Sequence, residues 1–164
     1  MGNEMFAKFN EMFGDVSKEV AELSANQNFE KKKVPFGDYE VKITKLAIVE
    51  HEWEDEYQGL PELTAWFKII GDAEHDGEYV GQTLFVTKKL ASVKNPSASA
   101  FVLKRSMEFV ESLESGIPVV YENLDQYSSL VDTIFKELDG RAEYQLSFFE
   151  NKGYKDYAIV KRFQ

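Results

Sequence analysis

"VPFGDYEVKITKLAIVEH", residues 34–51, decides the fold. Val41 and Ile43 alternate with Glu40, Lys42 and Thr44, the two-residue period of a half-buried strand. Leu46 and Ile48 then carry the apolar set one residue out of step. A β-bulge makes such a shift, because one extra residue exchanges the two faces of a strand. The first strand is therefore expected to be long and bulged.

Downstream, "LPELTAWFKII" (60–70) reads as a second strand. Leu63, Ala65, Phe67 and Ile69 take one face; Thr64, Trp66 and Lys68 take the other. "GQTLFVTKK" (81–89) is the third, after a loop rich in Gly, Asp and Glu. A helical stretch follows, capped by Ser97 or Ser99 and stopped at Gly116 and Pro118. Leu130, Val131, Ile134, Phe135 and Leu138 mark a second short helix ended by Gly140. "RAEYQLSFFE" (141–150) and "YKDYAIVKRF" (154–163) flank "NKG", a hairpin signal. Upstream, Phe6, Phe9, Phe13, Val16, Val20 and Leu23 recur at helical spacing over residues 4–25, and residues 24–33 read as a polar linker.

The expected fold is thus mainly β with helices. An N-terminal amphipathic helix with its linker (1–30) precedes a domain over residues 31–164. Five strands with a helical insert between the third and fourth is the chain order of the OB-fold. That five-stranded barrel binds oligonucleotides on strands 2 and 3 and in the loops joining strands 1–2 and 4–5.

Charge is segregated along the chain. The net charge is -10, but residues 31–50, 82–94 and 141–164 carry +2, +3 and +2, while 1–30, 51–81 and 95–140 carry -4, -8 and -5. Basic segments gathered on one surface attract a polyanion even when the whole molecule is negative. The basic segments fall on strand 1, on strand 3 with its exit, and on the final hairpin.

The composition excludes much else. The 13 Phe and 8 Tyr can fill a core, and with no cysteine there is no disulfide framework or thiolate site. Apolar runs fall well short of the roughly 20 residues of a membrane span, and "MGNEMF" has Phe6 where a myristoylation signal wants Ser or Thr. A soluble, cytoplasmic protein with no membrane contact is expected. "HEWEDE" (51–56) lacks the glycine and alternating Asp/Asn of a calcium loop. No phosphate-loop, nucleophile-elbow, zinc-protease or dinucleotide motif occurs, so neither an enzyme nor a cofactor is expected.

Single-strand binders combine Lys and Arg along the phosphates with aromatic faces that stack on bases. Trp66 shares its strand face with Lys68; it either stacks on a base or packs under a helix. Trp53, in the acidic loop between strands 1 and 2, either presents its ring to a base or caps the barrel end. Tyr154, beside Lys152 and Lys155 after the hairpin turn, is a further stacking candidate. Lys88, Lys89 and Lys94 have no acidic sequence neighbour and are expected on phosphates, the alternative being a solvated loop. Lys42, Phe85, Tyr157, Lys161 and Arg162 complete the set. In the last strand neither parity is cleanly apolar, so Tyr157, Ile159, Lys161 and Phe163 on one face and Ala158, Val160 and Arg162 on the other stay unassigned to core or surface.

"MFAKFNEMF" (5–13), "VPFGDYEVKI" (34–43), "LTAWFKII" (63–70), "DGEYVGQTLFV" (76–86) and "GYKDYAIVKRF" (153–163), in this order and spacing, resemble a family of small phage single-stranded-DNA-binding proteins. The likeness runs from Phe6 to Phe163. It implies an OB-fold, single-stranded DNA as partner, and a role in phage replication or recombination inside the host bacterial cell. Replication or recombination proteins would then be further partners. The apolar stripe of the N-terminal helix is expected to be covered, with self-association into an oligomer as the favoured means. The competing reading is an acidic interaction protein, a DNA mimic or inhibitor of a host defence protein, for which a charge of -10 is suitable.

Overall fold

The computed structural model describes residues 32–163. The expected N-terminal helix and its oligomer contact lie outside them. Five strands form one antiparallel sheet: β1 (Gly37–Glu50), β2 (Pro61–Gly71), β3 (Thr83–Lys89), β4 (Glu143–Asn151) and β5 (Tyr154–Arg162), in the spatial order β3-β2-β1-β4-β5. Two helices, α1 (Ser99–Ser112) and α2 (Leu124–Leu138), are inserted between β3 and β4.

The sheet is open. β3 and β5 are its edges and share no ladder, so the closure expected of a barrel is not made by backbone hydrogen bonds. The edges nevertheless approach each other. Lys88 Nζ on β3 lies 3.0 Å from Asp156 Oδ1 on β5, and α1 packs against both strands. Phe109 of α1, nearly buried, sits beneath Lys88, whose ammonium is 5.4 Å from the ring centroid. A groove of about 480 Å³ between β3, α1 and β5 remains where a closing ladder would run.

Of three register shifts in the ladders, two set the faces of β1 and β5. Ile43 pairs with Phe67 and Lys45 with Trp66, leaving Thr44 as the extra residue. Tyr39, Val41 and Ile43 point inward before it and Leu46 after it, all buried. In β5, Lys161 pairs with Gln145 but Ile159 with Leu146, so Val160 is extra. Tyr157 and Ile159 pack on the core before this bulge, and Arg162, opposite buried Tyr144, takes that side after it. Neither parity of the last strand is apolar throughout because its parity changes partway along. The hairpin turn is as the sequence implies: Lys152 (φ 51°) and Gly153 (φ 85°) both have positive φ, as a two-residue turn of primed type requires.

The core lies between the sheet and the helices. Leu63, Ala65, Phe67 and Ile69 line β2, and Tyr127, Val131, Ile134 and Leu138 form the buried stripe of α2, at helical spacing, which packs on β1. Buried hydroxyls are bonded: Tyr39 to Pro35 O (2.6 Å), Tyr144 to Leu113 O (2.7 Å), and Tyr127 with Ser106 Oγ (3.0 Å). Burial pushes the Tyr127 and Tyr144 hydroxyls up to about 12.

Helix α2 starts where it does because Asn123 caps it. Its Oδ1 accepts from the Gln126 N–H at 2.9 Å, and Gln126 Oε1 accepts from the Glu122 N–H at 2.8 Å. Asn123→Ala removes one cap bond and is expected to cost about 1 kcal/mol, read as a lowered midpoint in urea unfolding. An unchanged midpoint would mean that packing of α2 alone fixes its start.

Candidate nucleic-acid interface

The outer face of β1–β2–β3, opposite the helices, collects cations around two rings. Trp66 pairs across strands with Phe85, the rings meeting edge-to-face at 5.3 Å and 82°. Trp66 is 37% exposed and Phe85 49%. Lys45 Nζ stands 4.4 Å from the Trp66 ring centroid. Lys42 and Lys68 are cross-strand partners, both exposed, one outward row further along. Thr44 Oγ1 donates to Trp66 O at 3.3 Å and ties the bulge to the platform.

Four expected residues therefore meet here: Lys42, Trp66, Lys68 and Phe85. Trp66 does not pack under a helix. Lys45 is a fifth member that the sequence reading missed. The register shift was its signal, since a bulge at Thr44 puts Lys45 on the outer face beside Trp66.

The lysines at the end of β3 are placed otherwise. Lys88 is bound to Asp156, Lys89 to Glu62 Oε1 at 2.7 Å, and Lys94 to Glu56 at 3.8 Å. Each has a carboxylate drawn from a distant part of the chain, so the +3 of residues 82–94 is locally offset. Burial works to raise the Asp156 pKa, but hydrogen bonds from the Lys88 ammonium and the Tyr157 N–H outweigh it and hold the carboxyl below its usual range. The Lys88–Asp156 pair also joins the exit of β3 to the β4–β5 turn.

That turn displays Tyr154, 77% exposed, with Lys152 and Lys155 also exposed. Trp53, in the β1–β2 loop, is likewise 77% exposed. Tyr157 is turned inward and lies flat on Phe148 at 4.7 Å and 5°, so it does not join the platform. Lys161 lies on the outward row of Gln145 and Glu40, over the Phe163 ring at 5.3 Å. Arg162 Nη1 donates to Glu114 O, tying β5 to the segment after α1.

Exposed paired rings with ammonium groups beside them can hold planar, anionic ligands through stacking and charge. Among the described residues, no group of three or more His, Asp or Glu is placed to hold a metal, and no helix is long and apolar enough to cross a membrane. No protein-family model and no curated protein matches the chain.

Proposed function

We propose that this chain binds single-stranded DNA with little regard to sequence, using the outer face of β1–β2–β3. The observation that carries the reading is the exposed Trp66–Phe85 pair with Lys45, Lys42 and Lys68 around it. Base faces stack on aromatic rings whatever the base, and ammonium groups follow the phosphates. The curled five-stranded sheet with its helical insert is read as an OB-fold whose two edges meet through side chains. A role in phage replication or recombination, in the host cytoplasm, follows the resemblance of the sequence motifs. The binding is non-enzymatic.

The charge distribution makes a numerical expectation. With the β3 lysines held by carboxylates, phosphate contact falls to Lys42, Lys45 and Lys68. Three contacts give a slope of about -2 in log affinity against log salt, at about 0.7 per contact for single strands. Tryptophan fluorescence titration with oligothymidine at several salt concentrations measures it. Lys42→Ala and Lys68→Ala should each flatten the slope by about 0.7. Absence of oligothymidine binding at low salt, together with capture of a basic partner, would replace this reading with that of an acidic interaction protein.

A further inference from the structure

His51, the first residue of the β1–β2 loop, is 7% exposed and sits between two carboxylates. Its Nε2 is 2.9 Å from Asp55 Oδ2, within the loop, and its Nδ1 is 2.6 Å from Glu62 Oε1, on β2. Lys89 Nζ, from β3, reaches the same Glu62 oxygen at 2.7 Å and approaches Nδ1 at 3.2 Å. The Tyr57 ring stands edge-on to His51 at 6.4 Å. Glu50 and Glu52, its chain neighbours, are exposed.

We propose that His51 is the positioning residue of the β1–β2 loop: as an imidazolium it bridges Asp55 to Glu62, and loss of its proton loosens the loop that carries Trp53. The donor count favours the charged form. An imidazolium offers an N–H from each nitrogen, one to each carboxylate. A neutral ring has one N–H only. With that N–H on Asp55, the Nδ1 lone pair faces a carboxylate oxygen at 2.6 Å, which is repulsive; Lys89 then becomes the donor to Nδ1 and Glu62 must withdraw. The Asp55 contact also loses the attraction between opposite charges, keeping only the bond from a neutral N–H to an ionised carboxylate.

The loop would feel this change along its length. Its base is closed by His51 N–H to Leu60 O and Gly59 N–H to His51 O, both 2.9 Å. Asp55 also accepts from the Tyr57 N–H at 2.8 Å, Tyr57 lies 4.6 Å under Lys89, and its hydroxyl accepts from the Val93 N–H.

The hydrogen bond to Asp55 and the charge of Glu62 raise the His51 pKa, against burial and Lys89. The pairing with His51 lowers that of Asp55. A raised histidine stabilises fully below about 6.5 and loses its effect as pH climbs through the raised value. A depressed aspartate stabilises above about 3.9 and fails only as pH falls through its lowered value. The clamp is therefore closed between these limits and opens on the alkaline side.

The test uses the full chain without nucleic acid, so it stands apart from the binding reading. His51 is titrated by NMR of its ring protons, and Trp53 emission is followed in Trp66→Phe over the same range. A His51 midpoint above about 6.5, with Trp53 emission changing at that midpoint, is the expected result. His51→Gln should abolish the emission change. Asp55→Asn, which alters a half-exposed side chain, should move the midpoint down toward the ordinary value. A midpoint at or below the ordinary value, a flat emission profile, or an unmoved midpoint in Asp55→Asn overturns the proposal.

Discussion

Phe67→Ala lowers the unfolding free energy by about 3–5 kcal/mol, the range for truncating a buried phenylalanine. Phe67 is wholly buried on β2, next to the central strand. Its ring meets Phe109 of α1 at 6.2 Å and 84°, and Tyr144 of β4 at 6.4 Å and 88°. Both contacts are edge-to-face, so truncation removes two aromatic pairs as well as burial. The neighbours are poorly placed to close over the cavity. Tyr144 is held through its hydroxyl to Leu113 O, and Phe109 lies under the Lys88–Asp156 bridge. Domains of this kind have a total stability of about 5–15 kcal/mol, so the loss is a large fraction of it. Urea unfolding followed by circular dichroism gives the value; Phe67→Leu, which leaves a smaller cavity, should cost less. A loss below about 1 kcal/mol would show that α1 and β4 collapse into the space.

Much of this core was legible in the sequence because period and length are local properties. The alternation of Leu63, Ala65, Phe67 and Ile69 assigned the inner face of β2 directly. Even the bulge at Thr44 was visible, since the apolar residues on both sides of it are aliphatic and fix the parity of each half. The bulge at Val160 was not. The residues beyond it are Lys161 and Arg162, which carry no apolar signal. Arg162 takes the inner side through a bond to Glu114 O, 48 positions away in sequence.

The charges were harder to read for a related reason. A lysine without an acidic neighbour in sequence can still have one in space. Lys88 and Asp156 are 68 positions apart, and Lys89 and Glu62 are 27 apart. Both pairs depend on how the sheet curls, which hydrophobic periodicity does not encode. The same curl brings the sheet edges together without pairing them, so the order of elements along the chain was recoverable and the open edge was not. His51, read only against a metal loop, was overlooked because its partners Glu62 and Lys89 lie on other strands.

Trp66→Ala weakens oligothymidine binding by about 5- to 150-fold, the equivalent of the 1–3 kcal/mol that one stacked base is worth. The expectation rests on the outer-face placement. Trp66 meets Phe85 edge-to-face and has Lys45 over its ring, so a base that stacks there displaces or joins a cation already attracted to the ring. The substitution also leaves the Lys45 ammonium without its ring, which should disperse it and reduce its service to a phosphate. Trp66→Phe keeps a stacking surface and should recover most of the affinity. Trp66→Ala combined with Phe85→Ala should cost more than either alone, although the two rings touch and their effects need not add. Because Trp53 remains fluorescent, binding is best read by anisotropy of a labelled oligonucleotide, with urea unfolding of each variant as a control for stability. If both variants remain folded and bind within about twofold of the parent, a difference of roughly 0.4 kcal/mol, the platform is not the binding surface. The exposed turn carrying Lys152, Tyr154 and Lys155 would then be the next surface to truncate.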